Sequence, residues 1–222
     1  MNIHCISDTH ALHRQLIIPE GIDLIIHAGD ATNYRELYKN EIEFEDFLDW
    51  YSKLDIEFKI LIAGNHCAWA TKNYNKEKVK EAGIIYLEHE FVTINGIKIF
   101  GSPYTPTFGN WYFNVDRSKL DKYWKVLKDD IDILVTHGPP YGVLDLAHDY
   151  GNKAELCGDK RLLNHVNRIK PKYHIYGHTH SNPQFENQGI VIRNDIQFMN
   201  VSCVTDSEFN KGVSSHGITI QL

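Results

Sequence analysis

Five short apolar runs recur along the chain, and each ends in small or polar residues. Each run has the length of a strand and is rich in β-branched residues, which is typical of strands buried within a sheet. The sequence therefore predicts buried strands in five segments: IHCIS (3–7), DLIIHAG (23–29), FKILIAG (58–64), IDILVTHG (131–138) and YHIYGHTH (173–180).

Stretches with a helical spacing of apolar residues lie between these runs. Gly83 is suited to the end of one such helix, and Ser118 is a candidate N-cap for another. The last stretch stops before Pro171, which cannot continue a helix. The spacing predicts helices over residues 41–54, 75–83, 118–127 and 158–169.

The segment FVTINGIKIFG (91–101) alternates apolar and polar residues on both sides of Asn95-Gly96. This dipeptide strongly favours a two-residue hairpin turn of type I′. The C-terminal third is rich in strand patterns, at 189–203 and 216–222. Strands that alternate with helices and then give way to hairpins predict an α/β protein with two packed sheets and helices outside. No repeat or linker is visible, so we expect one domain over residues 1–222.

The composition of the 222 residues is ordinary for a globular protein, with 42% hydrophobic and 23% charged residues. The formal net charge of −6 provides no field for nucleic acid or for an anionic membrane, so neither is expected as a stable partner. Four cysteines lack C-x-x-C spacing, and we expect neither a signal peptide nor a transmembrane helix. These features predict reduced thiols and a cytoplasmic location.

Polar side chains lie at the end of every one of the five apolar runs or directly after it. Such residues gather where sites form in open α/β sheets, at the carboxyl edge of the strands. A lone aspartate or histidine there is usually a turn residue or a packed core residue. Polar residues of this kind at five consecutive strand ends instead indicate one shared functional site. The candidates are Asp8, His10, Asp30, Asn65, His66, His137, His178 and His180.

The number of these groups suits two metal ions. Without His66, the set contains two carboxylates, one amide and four imidazoles. These seven groups give each ion four protein contacts if one carboxylate bridges, and water and substrate can complete the coordination. A mixed Asp, Asn and His set suits manganese, iron or zinc, and manganese is our first choice. The absence of cysteine from the set argues against a structural zinc site. The sequence thus predicts a site for two divalent cations.

The ordered motifs DTH, GD, GNH, HG and GHTH resemble those of the calcineurin-like metallophosphoesterase superfamily. Longer segments are similar to a narrower group, the metallophosphoesterase-domain-containing (MPPED) family. They are CISDTH, YKNEIEFEDFLDWYSKL before FKILIAGNH, IFGSPYTPTFGNWYFN, and IDILVTHGPPYG. The resemblance covers nearly the whole chain and implies a four-layer α/β/β/α sandwich of two mixed sheets flanked by helices.

The resemblance also implies which side chains hold each ion. One ion would be held by Asp8, His10, Asp30 and His180. The other would be held by Asp30, Asn65, His137 and His178, so that Asp30 bridges the two. His66 would bind neither ion and would face the phosphate of the substrate.

Two positions depart from the superfamily pattern. Asn33 stands three residues after Asp30, where many relatives carry an acid that orients the catalytic histidine. An amide can fix the tautomer of His66, but it cannot stabilise the imidazolium by charge. Cys67 follows His66 where relatives usually have an acid, and we interpret this cysteine as a bystander because hydroxide at the metals supplies the nucleophile.

The loop SPYTPTFGNWYFN (102–114) concentrates aromatic residues around prolines and a glycine. These rings can anchor the loop, and some of them can form a platform on which a nucleobase stacks. Both roles remain open for different residues of the loop. Trp111, together with Asn33, is our candidate for substrate binding.

The predicted function is that of a binuclear metal-dependent phosphodiesterase. The resemblance points to a small-molecule phosphoester substrate of nucleotide type, such as a 2′,3′- or 3′,5′-cyclic nucleotide. The alternatives are a phosphomonoesterase or protein phosphatase, which would use the same metals, and a non-catalytic metal-binding scaffold. A scaffold with an eroded site would be expected to lose ligands, and all seven are present. A nuclease would need a basic face, which the composition does not provide.

Overall fold

The computed structural model describes residues 1–148, 153–206 and 212–222. Within these ranges most strands belong to two large mixed sheets. In chain order the strands are β1 (Asn2–Ile6), β2 (Leu24–His27), β3 (Phe58–Leu61), β4 (Ile85–Tyr86), β5 (Glu90–Ile94), β6 (Ile97–Ser102), β7 (Thr105–Pro106), β8 (Asn114–Val115), β9 (Ile133–Thr136), β10 (Leu146–His148), β11 (Ala154–Leu156), β12 (Tyr173–Tyr176), β13 (Gly189–Arg193), β14 (Ile196–Asn200) and β15 (Ile218–Gln221). The helices are α1 (Leu37–Ser52), α2 (Asn73–Glu81), α3 (Leu120–Trp124) and α4 (Lys160–Ile169).

The first sheet has the strand order β15-β1-β2-β3-β4. Its strands are parallel except for β15, which runs antiparallel to β1. The register aligns the carboxyl ends, since Ile6 pairs with His27 and His27 pairs with Leu61. The loops that follow β1, β2 and β3 therefore leave the sheet at one edge.

The second sheet has the strand order β13-β14-β12-β9-β6-β5. Its four central strands are parallel, and the outer strands β13 and β5 are antiparallel to their neighbours. Ser102 pairs with Thr136 and Val135 pairs with Ile175, so the loops after β9 and β12 also begin at a common edge.

Three apolar layers hold these elements together. Ile26 and Ile60 of the first sheet share a core with Ile133 and Ile175 of the second, and this core lies between the sheets. The opposite face of the first sheet packs against α1 and α2, and that of the second packs against α3 and α4. These contacts confirm the α/β/β/α sandwich that the sequence resemblance implied.

Three predicted helices form with shifted ends. The helix predicted over 41–54 begins four residues earlier, at Leu37, and the one predicted over 158–169 begins at Lys160 after an Asp159 cap. The helix predicted over 75–83 ends before Gly83, which has a φ of +74°, and the amides of Gly83 and Ile84 bond back to carbonyl oxygens of the last turn. The glycine therefore has its predicted role.

The helix predicted over 118–127 is shorter than expected. Only Leu120–Trp124 is α-helical, because the amides of Val126 and Leu127 bond three residues back and tighten the chain into turns. The prediction that Ser118 caps this helix is wrong. Its hydroxyl and its amide both donate to the Asp116 carboxylate instead.

The predicted hairpin is confirmed as β5–β6. Asn95 and Gly96 both have positive φ, at +49° and +85°, as a type I′ turn requires. The strand-rich C-terminal third is also confirmed, by β13, β14 and β15. Among the helices in the described ranges, none combines the length and apolar character needed to cross a membrane.

Candidate metal centre

The candidate ligands from five strand ends meet at one end of the two sheets. Their donor atoms lie within 4.8 Å of one another in three overlapping groups. All seven predicted ligands and His66 belong to this cluster, with Asn65 joined to it through a contact with His137. The three groups are Asp8, His10 and His180; His10, Asp30 and His66; and Asp30, His137 and His178.

Several of the candidate ligands have an unusual backbone conformation. Asp8, His10, Asp30 and His178 all have positive φ values, between +41° and +69°. Such values are uncommon outside glycine and cost on the order of 1–3 kcal/mol each. The surrounding structure must offset this strain, and the strain is concentrated in the loops that carry the cluster.

The glycine before His178 allows two of these loops to approach each other closely. A Cβ atom on Gly177 would overlap the carboxylate of Asp8. Gly64, before Asn65, is under the same constraint, because its Cβ would overlap the carboxylate of Asp30. Only glycine permits this packing at either position.

The Asp8 carboxylate is fixed by hydrogen bonds. Its Oδ2 accepts the main-chain N–H of His178 at 2.9 Å and the hydroxyl of Ser202 at 2.8 Å. Its Oδ1 lies 3.4 Å from Nε2 of His180, and this nitrogen is also 3.4 Å from Nε2 of His10. The N–H of His178 also lies 3.1 Å from Oδ1, so the protein fixes both oxygens while Oδ1 faces the two imidazoles.

The cluster has two halves, one formed by Asp8, His10 and His180 and the other by Asn65, His137 and His178. In the second half, hydrogen-bond acceptors face one another. Nδ1 of His137 lies 3.0 Å from the carbonyl oxygen of Ala28, to which it donates, so that Nε2 presents its lone pair. That nitrogen lies 2.9 Å from Oδ1 of Asn65 and 3.2 Å from Oδ2 of Asp30. Three lone pairs that converge in this way require a cation or an added proton between them. The arrangement therefore suits a metal ion.

Asp30 lies between the two halves of the cluster. Its Oδ2 faces His137, and its carboxylate also belongs to the group that contains His10. Its Oδ1 accepts the main-chain N–H of His66 at 2.7 Å, which fixes the carboxylate in place. A carboxylate in this position can contact a cation in either half.

The titration of the imidazoles follows from burial and from the nearby carboxylates. Burial lowers the pKa of His10 and that of His178 to about 3, so both rings are neutral, which is the form that binds metal. Burial also opposes charge on His137, but Asp30 raises its pKa to about 9. Asp206 and Asp8 likewise outweigh burial and raise the pKa of His180 to about 10. A cation between the carboxylates and these rings would take the place of the protons.

His66 contacts the cluster from one side. Its Nδ1 donates to the main-chain oxygen of Asn33 at 2.7 Å, so the backbone supplies the hydrogen bond that we expected from the amide side chain. Its ring meets that of His10 edge to face, at 4.8 Å between centroids. Trp111 lies against it at 4.3 Å, in a tilted arrangement. Both candidate substrate contacts therefore border His66.

Comparison with known proteins identifies the family. Residues 1–182 match the family described as calcineurin-like phosphoesterase. The chain belongs to this family. Calcineurin-like phosphoesterases typically depend on two metal ions, in keeping with the side-chain groups that meet here.

Relatives with similar sequences extend the likeness over most of the chain. Human Metallophosphoesterase domain-containing protein 1 is 33% identical over 226 residues, covering 90% of this chain and 65% of that protein. UPF0046 protein K07C11.7 of Caenorhabditis elegans is 32% identical, covering 96% of this chain and 71% of that protein. The chain thus spans just under two thirds of the length of the human relative.

Solved structures of low sequence identity share the fold. Phosphopantetheinyl Hydrolase (PptH) from Mycobacterium tuberculosis superposes with a TM-score of 0.64 at 16% identity, covering 99% of this chain and 95% of that one. A novel archaeal phosphodiesterase superposes with a TM-score of 0.50 at 17% identity, covering 95% and 88%. The described fold is therefore that of the calcineurin-like phosphoesterases.

A buried asparagine that the sequence analysis does not identify holds together two loops that carry the candidate ligands. The amide nitrogen of Asn40 donates to the carbonyl oxygens of His66 and Tyr34, at 2.7 and 2.6 Å. Its amide oxygen accepts the N–H of Trp69 at 2.9 Å. Asn40 thereby ties the loop after β2 to the loop after β3. Its one sequence signal is a polar residue in helical register with the buried Phe44 and Phe47 of α1.

The aromatic loop borders two cavities at the cluster. His10, Asp30, Asn65 and His66 line part of a cavity of about 350 Å³. A second cavity of about 510 Å³ continues from it toward β10 and β11. The pair β7–β8 holds the ends of the loop together. Both cavities are lined by Phe108, Trp111, His178, His180 and Asp206.

Proposed function

We propose that this protein is a binuclear metal-dependent phosphodiesterase that acts on small nucleotide-type phosphodiesters, including cyclic nucleotides. The observation that carries the proposal is the convergence of seven candidate metal ligands, with Asp30 at their centre. Membership of the phosphoesterase family supports hydrolysis of a phosphoric ester. The preference for diesters and for nucleotides goes further, and it comes from the sequence resemblance and the aromatic loop.

The ligand groups support the division between two ions. Asp8, His10 and His180 would hold one ion, and His137, His178 and Asn65 would hold the other. Asp30 would bridge the two, since it faces both halves. Oxygen and nitrogen donors in this mixture favour manganese, with iron or zinc as alternatives.

Bound ions would supply Lewis-acid polarisation of the phosphate and would activate water. The protein side chains supply the rest of the mechanism. His66 lies at the edge of the cluster with Nδ1 bonded to Asn33, so its Nε2 would donate a proton to the leaving oxygen or a hydrogen bond to the phosphate. Trp111 would orient the substrate base, and Arg35, whose guanidinium lies 5.1 Å above the Trp111 ring, would hold that ring in position.

We also propose a cytoplasmic location. Cys5, Cys67, Cys157 and Cys203 are all free thiols. Unpaired cysteines in this number are typical of proteins kept in a reducing compartment.

Substrate profiling tests the proposed activity. Protein stripped of metal and then reloaded with Mn²⁺ should hydrolyse 2′,3′- and 3′,5′-cyclic nucleotides and bis-nitrophenyl phosphate, and the stripped protein should hydrolyse none of them. Initial rates on nitrophenyl phosphate and on a phosphopeptide give the comparison with monoesters. Higher kcat/KM on monoesters would make the protein a phosphomonoesterase or a protein phosphatase. Tight metal binding with no turnover of any ester would make it a scaffold.

Trp111→Ala should raise KM for nucleotide diesters more than for small aryl diesters. Stacking on an aromatic ring is worth about 1–3 kcal/mol per base, so the selective increase should be roughly 5- to 150-fold. Tyr38→Ala, which removes an exposed ring from the outer face of α1, is the matched control. Equal increases in KM on both substrate types would assign Trp111 to support of the loop instead.

A further inference from the structure

We infer that Asp206 is a positioning residue for the metal ion that His180 would hold. The inference rests on the proposed binuclear centre and adds a residue to it. Oδ1 of Asp206 lies 3.3 Å from Nδ1 of His180. Nε2, on the opposite edge of the same ring, faces Asp8 and His10 at 3.4 Å each.

The contact determines which nitrogen of His180 binds metal. A carboxylate can only accept, so Asp206 keeps the proton on Nδ1 and leaves the lone pair of Nε2 directed into the cluster. A carboxylate on the far side of a metal-binding imidazole also makes the ring a stronger ligand. His137 receives its corresponding hydrogen bond from the main-chain oxygen of Ala28, which is uncharged. The two halves of the centre therefore differ, because a charged group supports His180 and a neutral one supports His137. A substitution of Asp206 should affect only the half that contains His180.

The main chain holds Asp206 beside the GHTH loop. Its N–H donates to the carbonyl oxygen of Ser181 at 2.9 Å, and Thr205 forms a bridge with the same serine. Oδ2 of Asp206 accepts the side-chain amide of Asn182 at 3.3 Å. These contacts orient the carboxylate toward His180, although more than half of its surface is exposed to solvent.

The test is the titration of Mn²⁺ into metal-free protein, with free Mn²⁺ followed by electron paramagnetic resonance. Asp206→Leu should weaken one of two binding steps by about 10- to 100-fold and leave the other unchanged. His180→Ala identifies the step, because it should weaken the same one. Asp206→Asn should fall between the two, since its amide oxygen can still accept the proton of Nδ1.

Two further variants separate positioning from a general structural effect. In the His180→Ala background, Asp206→Leu should cause no additional loss of Mn²⁺ affinity. Asp121→Asn removes a similar half-exposed carboxylate, which lies 3.2 Å from Nε2 of His165 at a distance from the centre, and should leave both steps unchanged. Circular dichroism checks that every variant is folded.

The outcomes distinguish this inference from the proposed function. If the wild-type protein binds fewer than two Mn²⁺ ions, the binuclear centre itself is wrong. If it binds two and Asp206→Leu binds both with wild-type affinity, the positioning role is wrong and Asp206 is only part of the cavity wall. A loss that persists undiminished in the His180→Ala background would also overturn the role.

Discussion

Asp30→Asn is expected to remove metal from both halves of the centre. Asp30 faces His137 on one side and belongs to the group of His10 on the other, so the loss of its charge affects both ions. The loss of metal affinity should exceed the roughly 10- to 100-fold loss that is typical when a residue supporting a ligand is substituted. Elemental analysis after reconstitution should give about two transition-metal equivalents for the wild type and well under one for the variant.

The comparison with His180→Ala makes this expectation specific to a bridge. Removing His180 should impair mainly the ion held with Asp8 and His10, so that about one equivalent remains. The near-isosteric change at Asp30 keeps an oxygen that can accept the N–H of His66, so the loop after β3 should keep its conformation. A wild-type protein that never exceeds one equivalent would contradict the binuclear arrangement. Retention of one ion by Asp30→Asn would contradict the bridge.

The arrangement of the candidate ligands could be predicted from the sequence because neighbouring parallel strands end at the same edge of a sheet. A short β-branched run that stops at a polar residue shows where a strand ends, and parallel strands bring such ends to one edge. The aligned pairs of Ile6, His27 and Leu61 show this order in the first sheet. Asp8, Asp30 and Asn65 follow these strands and meet for that reason.

The supporting residues could not be anticipated in the same way. Asp206 reaches His180 because its segment pairs with Ser181, a contact between distant parts of the chain that no local pattern encodes. Asn40 looks like an ordinary polar residue in a helix until its four neighbouring backbone and side-chain groups are seen. Aspartate and histidine adopt positive φ more readily than most residues, but no local pattern showed that Asp8 and His178 do so.

The hydrogen bond of His66 shows how the structure changes an argument from residue type. From the sequence alone, the amide side chain of Asn33 is a weaker partner for His66 than an acid would be. The main-chain oxygen of Asn33 accepts the proton of Nδ1, and every residue type carries such an oxygen. The tautomer of His66 therefore does not depend on the side chain at position 33, and its Nε2 can still serve as a proton donor in the protonated ring.

His66→Ala should reduce kcat/KM most strongly on diesters with poor leaving groups. Loss of a general acid costs roughly 10²- to 10⁴-fold, and a nucleoside leaving oxygen needs the proton, whereas a nitrophenolate leaves without it. The loss on bis-nitrophenyl phosphate should therefore be much smaller, with metal content still near two equivalents. The measurement is kcat/KM on a cyclic nucleotide and on the nitrophenyl diester, with metal analysis of the same samples.

His66→Gln is the matched control, because glutamine can donate a hydrogen bond to the phosphate but cannot deliver a proton. If His66 is the acid, Gln should be no better than Ala on the cyclic nucleotide. Recovery of activity by Gln, or equal losses on both substrates, would make His66 a stabiliser of the phosphate oxygens. Loss of metal from His66→Ala would make it a ligand, which its grouping with His10 and Asp30 permits geometrically. The leaving-group dependence at constant metal content is thus the result that separates proton donation from both other roles.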